Sequence, residues 1–147
     1  MEAALAAAIA AIIEIFGASM VQHGVTFAIN AFDKIGFDMD VIGRRRKIQE
    51  VSQTSMMEYT KRGQCVNIMV WNMHVPNDHN LTAGLLQQFT VKMGDGGGFC
   101  VEIFTGGGDF INHGDLEPGN WRGEGNSEIV YNERSRRMDH MRFRTAR

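Results

Sequence analysis

The chain contains little cysteine and little proline, and its glycines are not periodic. Its 147 residues include two cysteines, two prolines and 17 glycines. Cys65 and Cys100 belong to no CxxC pair, which excludes the common zinc and thioredoxin motifs. The glycines show no three-residue period, so a collagen-like chain is excluded. Because few cysteines favour a reducing compartment, we expect a cytoplasmic protein, with secretion left open.

The N-terminal segment lacks basic residues, since no lysine or arginine precedes Lys34. A signal peptide needs a positive n-region, and a transmembrane span needs about twenty strongly apolar residues. This segment is mostly alanine and contains Glu2 and Glu14, so it predicts a packed helix over residues 2–16. Membrane contact through this amphipathic helix is kept as an alternative. The apolar stripe of this helix consists of Leu5, Ile9, Ile12 and Phe16.

A second apolar stripe follows with heptad spacing. Its members are Val21, Val25, Ala28, Phe32, Ile35, Met39 and Ile42. Together the two stripes predict helical structure and self-association through residues 2–42. Residues 43–64 are mostly polar, and their apolar side chains are too sparse to define a helix face. We interpret them as a link.

The pattern changes to that of β-strands at residue 65. Residues 65–75 are apolar and rich in strand-forming side chains, which predicts a central strand. Apolar and polar residues alternate over 88–93 and 99–104, and glycine-rich turns separate these runs. Connections this short indicate antiparallel pairing. We interpret residues 76–78 as a turn, and residues 127–133 and 138–145 as further strands.

These patterns separate a helical N-terminal part from a β-rich C-terminal part, which is typical of the α+β class. We predict a single domain, 1–147, with a helical segment at 1–45 and a β-rich body at 65–147. The helical segment is expected to pack on an antiparallel β-sheet, a meander of about five or six strands.

The charge is distributed unevenly along the chain. Residues 1–133 contain nine Lys or Arg against 16 Asp or Glu, whereas the last fourteen residues contain six Arg and one Asp. A basic tail can contact nucleic-acid phosphates, or it can pair with its own acidic body. Since the body is acidic, we expect internal pairing and no nucleic-acid partner.

The polar residues that could carry chemistry are concentrated near residues 112–126, where we predict a long loop without regular structure. Such loops are commonly functional. His113 with Asp109 or Asp115 has the composition of a general acid–base pair. Trp121, Asn112 and Arg122 are the candidate ligand-binding residues. Because no known ligand spacing is present, we predict no metal site, and we expect no organic cofactor.

Motifs for nucleotide binding and hydrolysis are missing as well. The glycine run at 94–98 lacks the Gly-Lys-Ser/Thr ending of a phosphate loop, and no Gly-x-Ser-x-Gly or His-Glu-x-x-His occurs. We therefore expect a small binding or interaction protein that presents glycine-rich loops on a sheet and can take a small apolar ligand. Two alternatives remain open. One is a cofactor-free enzyme of the isomerase, cyclase or hydrolase type, with a His/Asp pair in an apolar pocket. The other is a membrane-active protein that acts through its N-terminal helix.

Overall fold

The computed structural model describes residues 26–29, 41–92 and 97–147, and these residues form one helix and nine strands. In chain order the elements are β1 (Thr26–Ile29), α1 (Val41–Lys61), β2 (Asn67–Asn72), β3 (Asn77–His79), β4 (Leu85–Lys92), β5 (Gly98–Phe104), β6 (Gly108–Asn112), β7 (Trp121–Glu124), β8 (Ser127–Asn132) and β9 (Arg137–Phe143). The predicted α+β class is confirmed, with a helix packed on antiparallel sheets.

The strands divide into two sheets rather than the single meander expected from the sequence. Sheet A has the order β1-β4-β5-β2-β7, and sheet B has the order β3-β6-β9-β8. Four strands in each sheet pair antiparallel, while β1 lies parallel to β4 at one edge of sheet A. The other edge strand of sheet A is β7, and the edge strands of sheet B are β3 and β8.

Helix α1 covers one face of sheet A. Ile48, Val51 and Tyr59 of the helix are fully buried against β2, β4 and β5. Burial raises the pKa of Tyr59 to about 12, and its hydroxyl donates to Gln87 Oε1 at 3.0 Å. The helix ends at Lys61, and Gly63 follows with a φ of +72°, the left-handed conformation common after helix C-termini.

Sheet B covers the other face of sheet A. The core between the sheets consists of Met69, Trp71, Leu81, Phe104, Phe110, Trp121, Met141 and Phe143. Strand β2 is thus buried on both faces, with Ile68 and Val70 toward the helix and Met69 and Trp71 toward sheet B. Burial on both faces explains why residues 65–75 read as a continuous apolar run rather than an alternating one.

The interpretation of residues 43–64 as a link was wrong, because α1 occupies Val41–Lys61. The buried residues of α1 have helical spacing, but three of the six are polar, namely Lys47 and the two serines, Ser52 and Ser55. Their hydroxyls donate to the backbone carbonyls of Gln49 and Val51 at 2.9 and 2.8 Å. Each serine hydroxyl therefore has a hydrogen-bond partner within the helix, so serine can occupy a buried position. A count of apolar side chains alone misses this helix.

The two predicted N-terminal helices lie outside the described residues, except for residues 41–42, which begin α1, and for Thr26–Ile29. These four residues form strand β1, so the heptad pattern does not continue as a helix through them. Thr26, Phe27 and Ile29 are residue types that favour strands, and this local preference outweighs the heptad spacing. Among the described residues, no helix is long and apolar enough to cross a membrane.

Two connections also differ from their predictions. The predicted turn at 76–78 is three positions too late, since the chain turns at residues 73–75 and β3 begins at Asn77. The predicted loop 112–126 contains strand β7, which pairs with β2. Its sequence, Trp-Arg-Gly-Glu, has one large apolar residue, so the period-2 pattern is too short to see.

Candidate functional site

The loop between β6 and β7 is held by its own amide and carboxylate side chains. Buried Asn112 accepts the backbone N–H of Gly114 at 2.8 Å and donates to the carbonyl of Asp115 at 3.2 Å. Asp115 Oδ1 accepts the N–H of Glu117 at 3.0 Å. Such local bonds give the backbone of a loop the partners that a regular element would supply. Asn112 and Asp115, two candidate site residues, thus support the loop.

The basic tail also makes contacts within the molecule. Arg137 Nη2 donates to the carbonyl oxygens of Asn112 and Gly114, at 3.0 and 2.7 Å. Arg144 Nη2 lies 3.4 Å from a carboxylate oxygen of Glu128 on β8. These two arginines therefore have partners in the acidic body of the protein.

Trp121 begins β7 and anchors the end of the loop. The residue is 7% exposed, and its ring lies between the sheets, with its centroid 6.3 Å from that of Phe110. Its Nε1–H donates to the carbonyl of Leu116 at 3.4 Å. An indole placed in this way buries a large apolar area while its polar N–H keeps a partner.

A groove of about 580 Å³ runs along Trp121 on the side where β7 and β8 are sheet edges. We call it the Trp121 groove. Its residues are Leu116, Pro118, Trp121, Arg122, Gly123, Glu124, Ile129, Met138 and Met141. Ile129 is 48% exposed and Met138 is 50% exposed. A Cβ on Gly123 would lie 3.0 Å from the Met141 sulfur, so glycine permits the close approach of β7 and β9.

The charged part of the Trp121 groove is one ion pair. Arg122 reaches Glu124 Oε1 through both Nε and Nη2, at 2.8 and 2.7 Å. The Ser52 hydroxyl oxygen of α1 lies 3.5 Å from the same oxygen. The Arg122 and Glu124 side chains are 35% and 24% exposed, so both remain accessible from solvent. Arg122 and Glu124 lie opposite Val70 and Ile68 of β2, so their side chains are on the α1 face of sheet A, whereas Trp121 faces sheet B. The walls of the groove are therefore apolar, and the ion pair borders it at the edge of β7.

His113 contacts neither of the carboxylates that the sequence suggested for it. Its Nε2 lies 2.7 Å from Asp78 Oδ2, and both side chains are substantially exposed. Asp109 is instead paired with His140, at 2.6 Å between Oδ1 and Nε2. The structure thus divides the predicted acid–base set between two surface pairs, and Asp115 has the loop role described above.

A third histidine–carboxylate pair, which the sequence did not indicate, joins the two sheets. His79 Nε2 of β3 lies 3.5 Å from Oε1 of Glu102, a residue only 4% exposed. Gln88 donates to the same oxygen at 2.7 Å. The other ring nitrogen of His79 lies 2.7 Å from Asn77 Oδ1.

Both ring nitrogens of His79 face oxygen acceptors. The Asn77 amide is oriented by its own Nδ2, which donates to the carbonyl of Val75 at 2.9 Å, so its oxygen faces the ring. The hydrogen bond to Glu102 raises the pKa of His79, with further contributions from the charges of Glu102 and Asp78. This arrangement favours the doubly protonated imidazolium.

The cysteines and acidic groups of the described residues do not form a metal site. In residues 26–29, 41–92 and 97–147, no three His, Cys, Asp or Glu side chains come together as metal ligands. Cys65 and Cys100 are both free. Burial raises the pKa of the Cys100 thiol, and the charge of Glu102 acts in the same direction, which favours the unreactive protonated form.

Comparison with known proteins gives no relative on which a function could be based. No protein-family model matches the chain, and neither a curated protein nor a solved structure matches it. The Trp121 groove is therefore the structural feature from which we infer a function. Trp121 and Arg122 were recognisable in the sequence because both lie in one polar segment. Ile129 and Met138 were not, since they belong to strands whose position against β7 depends on the tertiary fold.

Proposed function

We propose that the protein is a small binding protein and that the Trp121 groove takes one small, largely apolar molecule. The volume of the groove supports this proposal. Small-molecule sites usually measure roughly 300–1,000 Å³, and they combine an apolar lining with a few polar groups. The groove has about 580 Å³, six apolar side chains and one charge pair. Its volume and lining are those of a ligand site.

The exposure of the groove side chains supports binding in a second way. Ile129 and Met138 are each about half exposed, although they lie beside the buried Trp121. Apolar side chains that cluster at a concave surface gain free energy when a ligand removes them from water, at roughly 25 cal/mol per Å² of apolar area. Occupation of the groove would therefore be favourable.

Binding is preferred to catalysis because the groove lacks an acid–base pair. Neither His113 nor Asp109 lines it. Its acidic group, Glu124, is already paired with Arg122. The groove is also open to solvent, whereas acid–base catalysis benefits from a site that excludes water. The two free cysteines agree with a reducing compartment, and we propose a cytoplasmic location.

A test uses N-phenyl-1-naphthylamine, an uncharged aromatic dye whose fluorescence rises in an apolar site. We expect the protein to bind one dye molecule, and we expect Met138→Gln to weaken binding about tenfold, because it places a polar amide among the apolar side chains of the groove. Met57→Gln is the matched control, since Met57 is 57% exposed on α1 and does not line the groove. It should leave the dye affinity unchanged.

Two outcomes would contradict the proposal. One is the absence of saturable dye binding by the folded wild-type protein. The other is an equal loss of affinity in Met138→Gln and Met57→Gln, which would locate the dye elsewhere. Circular dichroism of each variant establishes that the compared proteins are folded.

A further inference from the structure

Strands β7 and β8, which border the Trp121 groove, are each the last strand of their sheet. Sheet A ends at β7 and sheet B ends at β8, so each of them has one hydrogen-bonded neighbour strand among the described residues. In an antiparallel pair, the backbone groups of successive residues point alternately toward the neighbouring strand and away from it. At both edges, alternate residues therefore direct their N–H and C=O groups away from the sheet.

A hydrogen bond at the start of β8 identifies these residues in sheet B. The Arg144 N–H donates to the Asn126 carbonyl at 2.9 Å, and the register of β8 with β9 continues from this pair. In steps of two residues, Glu128 and Val130 then bond to β9. Ile129 lies between them, so its N–H and C=O point away from β9.

The edge of sheet A has the same arrangement. The Asn72 N–H donates to the Asn120 carbonyl at 2.8 Å, so Arg122 bonds to β2 and Gly123 directs its backbone groups outward. Gly123 and Ile129 both line the Trp121 groove. The groove thus combines apolar side chains with backbone donors and acceptors that have no partner strand among the described residues.

We infer that the Trp121 groove binds a short peptide in extended conformation, which adds to β8 as a further antiparallel strand of sheet B and places apolar side chains in the groove. The inference rests on the proposed function, because it names the chemical class of the ligand of the same groove.

A peptide backbone supplies what the edge of β8 needs when the groove is filled. Any ligand that covers the half-exposed Ile129 also removes the backbone groups of this residue from water. A buried N–H or C=O without a partner is costly, and a ligand without amide groups supplies none for both. An added strand bonds to both groups while its alternate side chains contact the groove. The register shift between Val130 and Asn132 limits the regular edge, so the added strand is short.

The register also determines which residues of the peptide do what. The peptide residue opposite Ile129 turns its N–H toward β8, and its side chain lies on the same face of the sheet as that of Ile129. Ile129 lines the groove, so this face is the groove face. Because both directions alternate with a period of two, the residues that bond to β8 are the residues whose side chains enter the groove.

The test uses an uncharged, capped hexapeptide of alternating valine and threonine. Two further versions are methylated on the backbone nitrogens of either all valines or all threonines. We expect the unmodified peptide to displace N-phenyl-1-naphthylamine from the wild-type protein with one-to-one stoichiometry. Methylation of the threonines should leave the affinity within about twofold, whereas methylation of the valines should lower it about tenfold, because the donors to β8 are lost.

Ile129→Pro and Ile129→Ala form a matched pair of protein variants. Both remove the apolar side chain, but proline alone removes the N–H that points out of the sheet, which an edge strand tolerates. We expect the peptide affinity to be about three- to tenfold lower in Ile129→Pro than in Ile129→Ala, and the dye affinities to be equal. Circular dichroism shows whether both variants fold. The methylated peptides test the wild-type protein independently of the variants.

The inference is overturned if the wild-type protein binds the dye but not the peptide, or if the two methylated peptides bind equally. Equal peptide affinities of folded Ile129→Pro and Ile129→Ala would also overturn it. A lower sedimentation mass of Ile129→Pro than of Ile129→Ala would overturn it as well, because a second copy of the chain would then cover β8. In each case the proposed function stands as long as Met138→Gln weakens dye binding. If the wild-type protein does not bind the dye, the proposed function itself fails.

Discussion

At the scale of single residues, Glu102 shows most clearly what an alternating pattern can and cannot indicate. Glu102 lies between Val101 and Ile103, and alternation correctly places it on the opposite face of the strand. The pattern does not indicate that sheet B covers that face. Glu102 is consequently 4% exposed, with Oε1 held by Gln88 and His79 and Oε2 without a partner among the described residues.

The pairing of His79 with Glu102 predicts a pH dependence of stability. The folded pKa of His79 is raised above the ordinary value of 6.5. A raised pKa means that the folded state binds the proton more tightly than the unfolded state. The stabilisation is therefore fully present below pH 6.5, and it is lost as the pH rises through the folded pKa.

The measurement is urea unfolding of the wild-type protein and His79→Gln between pH 5.5 and 9. We expect the difference in unfolding free energy to be largest at the acidic end and to decrease above pH 6.5. His74→Gln is the control, because His74 is exposed on the preceding turn. A difference between wild type and His79→Gln that stays constant or grows with pH would refute the prediction.

At the scale of secondary structure, strands were easier to predict than the helix. Strands β4, β5, β8 and β9 fall within or close to the predicted segments. They are six to eight residues long, which is enough for an alternation of apolar and polar side chains to be detected in the sequence. Helix α1 was missed because serines complete its buried stripe. Strand β7 was missed because four residues are too few to show a period.

Helix α1 should depend on its buried stripe despite its polar composition. Ile48 is 1% exposed in the core against sheet A, whereas Ile42 of the same helix is 66% exposed. We expect Ile48→Ala to lower the unfolding free energy by about 2–5 kcal/mol, through lost burial and the cavity left behind. Ile42→Ala should change it by less than about 0.5 kcal/mol. Chemical denaturation measures both, and equal effects would mean that α1 is not anchored through this stripe.

At the scale of the whole molecule, the sequence indicates the α+β fold class but not how the strands are arranged in two sheets. Strands β4 and β5 are neighbours in both sequence and space, as short connections predict. Strand β2, however, lies between β5 and β7, and sheet B joins β3, β6, β9 and β8. Apart from β8 and β9, which are consecutive, the strands of these pairs are separated by other elements in the sequence. The Trp121 groove has the same origin, since Trp121, Ile129 and Met138 belong to three strands. Hence the sequence could identify Trp121 and Arg122, but not Ile129 and Met138.

Self-association through residues 2–42 stays a prediction, and apart from Thr26–Ile29 and residues 41–42 this segment lies outside the described residues. It depends on the two apolar stripes, the first of which consists of Leu5, Ile9, Ile12 and Phe16. Together the two stripes offer more apolar helix surface than is needed to cover one face of a small sheet. We expect sedimentation equilibrium to show a dimer or larger oligomer. Ile9→Asp with Ile12→Asp should shift the protein to the monomer, because two carboxylates in an apolar contact lose their hydration.

The double substitution Ala3→Asp with Ala7→Asp separates this effect from added charge. On a helix of 3.6 residues per turn, Ala3 and Ala7 lie opposite the stripe, on the side where the chain already has Glu14. This control should remain associated at protein concentrations where the Ile9/Ile12 variant is monomeric. The β-sheet circular dichroism signal of both variants should match that of the wild type, because the side chains that the structure describes in the two cores between α1, sheet A and sheet B all belong to Ile48 and later residues. A wild-type monomer at high concentration, or equal dissociation in the two variants, would show that the stripe does not join copies of this chain.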